Sequence, residues 1–370
     1  MTREEAERSA LDLAWLGSCG VNGRRPDPAR VSEMDLDGVY AAAKRNTLGA
    51  CAAMALESAG FKDARSGQLI ANALRRAALF DRALGEVCRA LEGAGIWYMP
   101  LKGMVLRKLY PKYGMREMAD CDILFDAGKA ERVRELMEGL GYTTKSFGGR
   151  HHDVYHREPV LNFEMHRALF GPGHEEKLVS YYSRVEERLL GEGMEKHLSR
   201  EDCFVYILAH ASKHYSGGGT GLRTLLDLYV YRHRASPDMA YVTGEAEKLG
   251  LGDFLRRSGS LAEHLFGSGE LTAEDREMLG YVLESGTYGT VDHQVQNRLT
   301  KTGWSKLRYM LERFSVPVSR KNPAYAAYAA RYPRFYRYKV LLPLLPFYRI
   351  SRSIREGRFR GEARAIRKAK

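Results

Sequence analysis

The sequence predicts an α+β fold, with a small mixed sheet and flanking helices that is preceded and followed by mainly helical regions. Residues 37–93 contain no proline and have Ala, Leu, Met and Arg at helical spacing, which predicts helices. Residues 96–169 alternate apolar, strand-like runs with short helical patterns, which predicts a sheet. Helical spacing returns after residue 176. The sheet is therefore expected in the middle of the chain.

These patterns divide the chain into five regions. We expect a poorly ordered N-terminal segment at 1–36, a helical lead-in at 37–95, an α+β core at 96–175, a helical domain at 176–300 and a basic, aromatic-rich C-terminal extension at 301–370. A chain of 370 residues, 44% apolar and 28% charged, can bury a core of this size. The helical domain is expected to line a substrate cleft beside the core.

The lead-in is predicted to form two helices that end at glycines. Their sequences are "DGVYAAAKRNTLGACAAMALESAG" and "LIANALRRAALFDRALGEVCRALEGAG". In the core, "IWYMPLKG" and "CDILFD" are predicted strands, and "MVLRKLYPKYG" and "AGKAERVRELMEGLGY" are predicted helices. The runs "HDVYHR" and "VLNFEMHRAL", separated by "EP", predict a hairpin. Further helices are predicted at "EDCFVYILAHASKHYS", "GLRTLLDLYVYRHR" and "YVTGEAEKLGLGDFLRRSGSLAEHLF".

The net charge of +12 is concentrated in the C-terminal extension. From Lys301 onward there are 19 Lys and Arg against three Glu, so the first 300 residues have 39 basic and 43 acidic side chains. A mildly acidic body argues against a main cleft that binds nucleic acid. In the extension, arginines recur at every third position beside aromatic residues, at Arg349, Arg352, Arg355 and Arg358. This stripe suits weak contact with an anionic membrane surface or nucleic acid, and it equally suits a solvated helix end.

The cysteines and the N-terminus indicate an intracellular protein. The five cysteines are scattered and form no CxxC pair, which argues against a disulfide framework and a zinc knuckle. The opening "MTREEAERSA" is acidic, and no apolar run approaches the ~20 residues of a membrane span. We therefore expect a cytoplasmic location and no transmembrane segment.

Two aspartates at the start of a predicted strand suggest a metal site. Asp120 and Asp122 are separated by one residue in "ADCDILF", so a strand would place both side chains on one face. Two like charges repel, and a hard divalent cation such as Mg²⁺ relieves that repulsion. On the hairpin strand "LNFEMHRAL", Glu164 offers a third acid. The alternatives are an aspartate pair that caps a turn or faces solvent, and a surface ion pair of Glu164 with Arg167 or Arg157.

A helix is predicted to begin near Gly103, directly after a strand. The free amides and the dipole of its first turn could hold a phosphate, and Lys102 would add positive charge. The alternative is a solvated lysine at the end of a strand.

A second cluster of polar residues is predicted on the helix "AHASKHYSGGG". His210, Lys213 and His214 have i, i+3, i+4 spacing and therefore share one helical face. A zinc protease requires Glu directly after the first histidine, and Ala211 occupies that position. Pocket lining and an ordinary satisfied histidine pair both remain open.

Other polar residues have weaker assignments. Arg223 is expected to contribute positive charge to the same pocket, and Asp227, four residues later, could be its partner. His151, His152 and His156 precede the acid-bearing strand and are expected to be loop residues.

Three separated segments of the chain resemble one protein superfamily. They are "PLKGMVLRKLYPKYGMREMADCDILF", "NFEMHRALF" and "LAHASKHYSGGGTGLRTLLDL". Their order resembles the nucleotidyltransferase superfamily of the DNA polymerase β type, and more closely its uncharacterised bacterial nucleotidyltransferase-like group. The resemblance spans roughly residues 40–235, and a weaker similarity is present in "LLPLLPFYRISR". It implies a nucleotidyltransferase-type catalytic core at 96–175.

The resemblance implies a Mg²⁺-dependent enzyme that moves a nucleoside monophosphate from a nucleoside triphosphate to an acceptor hydroxyl and releases pyrophosphate. Asp120 and Asp122 would bind two Mg²⁺ ions, with Mn²⁺ as an alternative ion. Glu164 would bind one ion and act as the base toward the acceptor. On this basis the three carboxylates should converge on one ion-sized gap. Replacing Asp122 with Asn should then relieve repulsion and stabilise the metal-free fold.

The resemblance also implies roles in substrate binding. Lys102 and Gly103, in place of the usual Gly-Ser, would hold the phosphates, and Arg116 would neutralise charge on the leaving group. Five residues would line the substrate pocket: His166, His210, Lys213, His214 and Arg223. Two other readings stay open. One is a non-catalytic nucleotide sensor with the same fold, and the other is a protein that binds polyanions or membrane surfaces through its basic tail.

Overall fold

The computed structural model describes residues 2–149 and 151–286 and parts of the remainder, namely 290, 295, 297, 299, 308, 315–319, 322, 325, 328–329, 332–355 and 364–366. The chain begins with helices α1 (Arg3–Val21) and α2 (Pro28–Ser32). Leu13 and Leu16 of α1 are fully buried. The expectation of a poorly ordered segment at 1–36 is therefore wrong, because α1 provides apolar side chains to the core.

The lead-in contains three helices where the sequence predicted two. They are α3 (Leu36–Asn46), α4 (Gly49–Ser58) and α5 (Ala64–Gly93). The predicted first helix is interrupted at Thr47, whose φ is +52°. A left-handed residue ends a right-handed helix, and the chain restarts as α4, a small-residue helix that is buried over most of its length.

A mixed sheet of five strands forms the centre of the predicted core. The strands are β1 (Tyr98–Pro100), β2 (Cys121–Phe125), β3 (Thr143–Ser146), β4 (His152–Arg157) and β5 (Leu161–His166). Their spatial order is β1-β2-β5-β4-β3. Only the central pair, β2 and β5, is parallel. Strand β3 was not predicted, because "TTKS" is a short, polar edge strand without apolar alternation.

The two faces of the sheet have different chemistry. Cys121, Ile123, Phe163 and Met165 point to one face and pack in an apolar cluster with α5 and with α7 (Ala130–Gly139). Alternation of side chains along each strand places the residues between them on the opposite face. The core on that side includes Leu124 together with side chains of the C-terminal helices. The polar residues of the site lie on this second face.

Between β1 and β2 the chain forms the one-turn helix α6 (Gly103–Leu106), which continues as a 3₁₀ turn, Arg107–Leu109. Further 3₁₀ turns span Ala127–Lys129, Val185–Arg188 and Lys339–Leu344. The helical domain contains α8 (Glu176–Tyr182), α9 (Arg200–Gly217), α10 (Leu222–Ala235), α11 (Met239–Leu249), α12 (Gly252–Phe266) and α13 (Ala273–Ser285). The last predicted helix is split into α11 and α12 at Gly250, whose φ is +72°.

The described part of the C-terminal extension contains α14 (Pro333–Arg337) and α15 (Leu345–Arg355). Arg349, Arg352 and Arg355 of the predicted stripe belong to α15, and Arg358 lies outside the described residues. Leu345 is buried, whereas Phe347 and Ile354 are exposed. Among the described helices, none has both the length and the apolar character that crossing a bilayer requires.

Candidate active site

Asp122 and Glu164 face each other across the parallel strand pair at the centre of the sheet. The register pairs their Cα atoms directly. Asp122 is buried, and Glu164 is partly buried. The backbone therefore brings together two acids that are 42 positions apart in sequence, on the face that the sequence analysis predicted. Their neighbours Cys121 and Phe163 point into the apolar cluster on the other face.

The third predicted acid, Asp120, lies just before β2 and outside the tightest group of acids. Among the described residues, the group of potential metal ligands that contains acids and lies within 4.8 Å consists of Asp122, Glu164 and His166. Asp120 is absent from that group, so the structure does not gather all three carboxylates at one point. Asp120 remains within electrostatic range, because burial and then the Asp122 charge raise the pKa of its carboxyl group.

Two cationic or proton-donating groups hold Asp122. Lys102 Nζ lies 2.9 Å from Asp122 Oδ1, and His166 Nε2 lies 2.8 Å from the same oxygen. Burial alone would raise the pKa of Asp122, but the Lys102 charge and the His166 hydrogen bond lower it well below its usual value. Reciprocally, burial opposes the charge of Lys102, while Asp122 raises the pKa of this lysine above its usual value. Asp122 is therefore a stable carboxylate in this structure.

An unusual backbone conformation directs Lys102 toward the acids. Its φ is +38°, a left-handed conformation that non-glycine residues seldom adopt. The adjacent Leu101 amide donates to the Asp122 carbonyl at 2.9 Å, which ties this turn to β2. Gly103 has little room for a side chain, since a Cβ there would lie 3.0 Å from Arg116 Nη1 and from Met118 Cε. The Lys-Gly pair thus fits a close packing requirement.

The helix terminus that was predicted to bind a phosphate, the first turn of α6, is short. Helix α6 has only four residues, and the amides of Val105 and Leu106 donate back to the Lys102 carbonyl. A single turn has a small dipole, so positive charge at this position comes mainly from the Lys102 ammonium group.

Glu164 has the electrostatic character of a proton acceptor. Burial, followed by the charge of Asp122, raises the pKa of Glu164 to about 7. Two histidines lie nearby, with His166 Nε2 at 3.7 Å and His152 Nε2 at 3.8 Å from Glu164 Oε2. A carboxyl group that titrates near neutral pH suits general acid–base chemistry.

The predicted pocket residues of α9 lie against this cluster. Lys102 Nζ is 3.2 Å from His210 Nε2, which is 3.1 Å from His214 Nε2. Burial and then the charge of Lys102 lower the pKa of Lys213 to about 8 and hold that of His210 well below its usual value. His210 and His214 are therefore neutral near pH 7, and Lys213 is the α9 residue that places positive charge near the acids.

Arg116 and Arg223 have contacts that the sequence analysis did not foresee. Arg116 donates from Nε and Nη2 to the two carboxylate oxygens of Asp227, at 2.7 and 2.8 Å, and is almost fully buried. The expected pairing of Asp227 with Arg223 is wrong, because Asp227 binds Arg116 and accepts a third hydrogen bond from Tyr110 Oη at 2.8 Å. Arg223 contacts the Glu117 carbonyl at 3.5 Å and helps to lower the pKa of Asp120. A role for Arg116 at the leaving group stays a prediction that its present contacts do not favour.

The histidines before the acid-bearing strand are part of the sheet. His152 and His156 belong to β4, so the expectation of loop residues is wrong for these two, whereas His151 directly precedes the strand. The antiparallel register pairs His152 with His166. His151, His152 and His166 offer nitrogens that lie within 4.8 Å of one another. The alternation within "HDVYHR" and "LNFEMH" contained this signal, since pairing the two runs puts histidines and Glu164 on one face.

The donor set suits a divalent cation. Two carboxylates and one imidazole converge within 4.8 Å, and burial, followed by the charge of Asp122, raises the pKa of Glu164. Carboxylate oxygens are preferred by Mg²⁺ and Mn²⁺, and His166 contacts Asp122 through Nε2 at 2.8 Å and supports that carboxylate. The residues present therefore fit such an ion.

Comparison with known proteins gives one finding about relationship. A family model described as an uncharacterised nucleotidyltransferase matches residues 32–267, which is more than half of the chain. No curated protein and no solved structure matches the chain. The matched range includes the whole sheet and the helices α9 and α10 that lie against its polar face.

Proposed function

Because the chain belongs to the uncharacterised nucleotidyltransferase family, we propose that it transfers a nucleoside monophosphate from a nucleoside triphosphate to an acceptor hydroxyl and releases pyrophosphate. The observation that supports this most strongly is the pairing of Asp122 with Glu164 on adjacent parallel strands, with the Lys102 ammonium group 2.9 Å from Asp122. This arrangement combines acids for a cation with a base for a hydroxyl and a lysine for a phosphate.

The proposed cofactor is Mg²⁺, with two ions expected and Mn²⁺ as the alternative. Asp122 and Glu164 would hold the cation, with Asp120 at the edge of the site. When bound, such ions neutralise phosphate charge and stabilise the entering and leaving oxygens of an in-line displacement.

Glu164 is the proposed base. Its pKa of about 7 leaves a substantial deprotonated fraction at neutral pH, so its carboxylate can accept the proton of an acceptor hydroxyl. Asp122 has a lowered pKa and stays charged throughout this range. Both acids would thus contact the cation, and Glu164 would in addition accept the proton.

Lys102 and the residues of α9 are the proposed triphosphate contacts. Lys102 is bound to Asp122 in the structure, and a cation on Asp122 would free its ammonium group for a phosphate oxygen. Lys213 and His210 face the same region. The rest of the proposed pocket consists of His166, His214 and Arg223. The acceptor and the base preference of the nucleotide are not specified by these residues.

A nucleotide sensor is the second candidate, and one observation favours it. The Lys102–Asp122 pair already compensates the more buried acid, so a triphosphate could replace Asp122 as the partner of Lys102 without a metal. The third candidate, a polyanion or membrane-surface contact through the tail, draws on the exposed Phe347 and Ile354 beside the arginines of α15. A cytoplasmic location stays a prediction from the cysteine pattern.

The proposal is tested by following the α-phosphate. The purified chain is incubated with each nucleoside triphosphate labelled at the α-phosphorus, Mg²⁺ or Mn²⁺, and a fractionated extract as the source of acceptors. We expect label to move into a new product with release of one pyrophosphate per transfer. Glu164→Gln and Asp122→Asn should abolish transfer. His156→Gln is the matched control, because His156 is exposed and lies four residues beyond His152 on β4.

Two results would contradict different parts of this proposal. Transfer that persists in Glu164→Gln would remove the proposed base, and binding of triphosphate without any labelled product would favour the sensor. Tail binding predicts neither result, since it should survive replacement of every acid.

A further inference from the structure

We infer that His151, His152 and His166 form a second metal site, selective for a transition metal ion of the Zn²⁺ class and adjacent to the acid pair. This inference does not depend on nucleotidyl transfer. It concerns a nitrogen-donor site, whereas the proposed function uses carboxylate oxygens.

Spacing is the first argument for the histidine site. His152 Nδ1 lies 3.3 Å from His151 Nε2. Two nitrogens that are each about 2.05 Å from a tetrahedral zinc ion are about 3.3 Å apart, so this pair already spans one edge of a zinc coordination sphere. The ring of His166 is close to both, with centroids 5.6 Å from His151 and 5.1 Å from His152.

The backbone holds the three residues in place. His152 and His166 are register partners on the antiparallel strands β4 and β5. The carbonyl of His151 accepts a hydrogen bond from the Arg167 amide at 2.8 Å, which ties His151 to the end of β5. Two adjacent strands thus present the three imidazoles together without a contribution from a distant segment, which is the rigidity that a metal site needs.

The second nitrogens of two of these imidazoles face carboxylates. His166 Nε2 lies 2.8 Å from Asp122 Oδ1, and a carboxylate only accepts, so this contact places a proton on Nε2 and leaves a lone pair on Nδ1. His152 has Nδ1 toward His151, and its Nε2 lies 3.8 Å from Glu164 Oε2, too far for a hydrogen bond, so the direct carboxylate–histidine pair is that of His166. Carboxylate–histidine pairs of this kind orient metal ligands and raise their basicity.

A buried nitrogen of His166 points to a ligand. His166 is almost fully buried, and its Nδ1 has no hydrogen-bond partner within the part of the chain that the structure describes. An unpaired buried acceptor costs free energy, and coordination of a metal ion would satisfy this lone pair. No other group is needed to explain it.

The chemistry of the donors selects the class of ion. Three imidazoles suit Zn²⁺, Co²⁺, Ni²⁺ and Cu²⁺, whereas Mg²⁺ prefers oxygen ligands. Three protein ligands leave one tetrahedral position for water or for a substrate atom. The hydrogen bond from His166 to Asp122 would couple this ion to the neighbouring acid pair.

The test uses tag-free, chelator-stripped full-length protein and Co²⁺ as the probe. Four-coordinate Co²⁺ absorbs visible light strongly enough to be titrated. We expect one Co²⁺ per chain, displaced by Zn²⁺ and unaffected by a large excess of Mg²⁺. His151→Gln and His152→Gln should each weaken Co²⁺ binding by at least about 100-fold, and Asp122→Asn by about 10- to 100-fold.

Controls separate this site from the proposed function and from misfolding. His156→Gln, an exposed position on the same strand, should bind Co²⁺ as the wild type does. Melting curves without metal check the fold of each variant, and two ligand variants keep the test valid if one is unstable. His151→Gln should retain any stabilisation by Mg²⁺ and triphosphate. Absence of a stoichiometric Co²⁺ complex in the wild type, or a Co²⁺ affinity in His151→Gln and His152→Gln equal to that of the wild type, would overturn the inference.

Discussion

Two buried ion pairs lie close together in this protein and differ in how completely their charges are matched. Arg116 and Asp227 form a bidentate pair in which both carboxylate oxygens are bound, and Tyr110 adds a third hydrogen bond. Lys102 and Asp122 share one close contact at 2.9 Å, to an oxygen that also contacts His166. The first pair is complete, whereas the second has a further acid, Glu164, within reach.

This difference separates a structural pair from a functional one. In the Arg116 pair, two opposite charges satisfy each other, and no charge remains for a ligand. Around Lys102, nearby positive charge does not offset burial and the charge of Asp122, so the pKa values of Asp120 and Glu164 are raised. A surplus of buried negative charge is what a cation would relieve.

The largest expected change in stability comes from breaking the Arg116–Asp227 pair. Asp227→Asn leaves the Arg116 guanidinium buried without its counter-charge, and we expect the free energy of unfolding to fall by about 3–5 kcal/mol. The loss should be the same with and without Mg²⁺. Denaturant titrations measure it, and Asp253→Asn, at an exposed pair with Arg256, should cost far less because solvent screens that pair. A Mg²⁺-dependent loss in Asp227→Asn would show that this pair also takes part in the site.

The next effect reverses an expectation from the sequence. Repulsion between Asp120 and Asp122 predicted that Asp122→Asn would stabilise the metal-free protein. The structure predicts the opposite change in the free energy of unfolding, because Asp122 contacts Lys102 and His166. The variant would leave the Lys102 ammonium group without its counter-charge. We expect a loss of about 3 kcal/mol in metal-free buffer. A gain in stability would mean that the repulsion dominates and that the Lys102 contact is weak.

The pH dependence of stability isolates Glu164. Its folded pKa of about 7 lies above the ordinary value of 4.5, so the folded state binds more protons than the unfolded state between these values. The stability that Glu164 contributes is therefore fully present below about pH 4.5 and is lost as the pH rises through 7. Glu164→Gln should remove this slope, an effect on the order of 2 kcal/mol after solvent screening. Parallel pH profiles for wild type and variant would contradict the raised pKa.

The smallest effect is at the outer acid. The pKa of Asp120 is raised by burial and by Asp122, so its charge is unfavourable at neutral pH without a cation. Asp120→Asn should stabilise the metal-free protein by less than about 1 kcal/mol, opposite in sign to Asp122→Asn. Thermal melts of the two variants side by side give the comparison. A loss of stability in Asp120→Asn would indicate that positive charge within the protein already balances the Asp120 carboxylate.

Local patterns predicted the sheet and its polar face, because the alternation in "CDILF" and "LNFEMH" is a short-range property. They did not predict the pairing of Arg116 with Asp227, two residues that are 111 positions apart. The left-handed φ of Lys102 also escaped notice, because nothing in its neighbours requires it. The histidines of β4 were assigned to a loop, since their relation to Glu164 depends on strand register. Sequence patterns thus predicted which strands carry the acids, and tertiary packing determined which charges are matched.

The central claim is that Lys102 and Asp122 separate, so that Asp122 binds a cation and Lys102 binds a triphosphate. Four melting curves test it most directly, for wild type and Asp122→Asn, each with and without Mg²⁺ plus a nucleoside triphosphate. At a hundredfold excess over the dissociation constant, the wild type should gain about 2.7 kcal/mol, seen as a rise in Tm, and the variant should show no rise. An equal rise in both proteins would contradict the role of Asp122, and a wild type that shows no rise with any triphosphate would contradict the transferase.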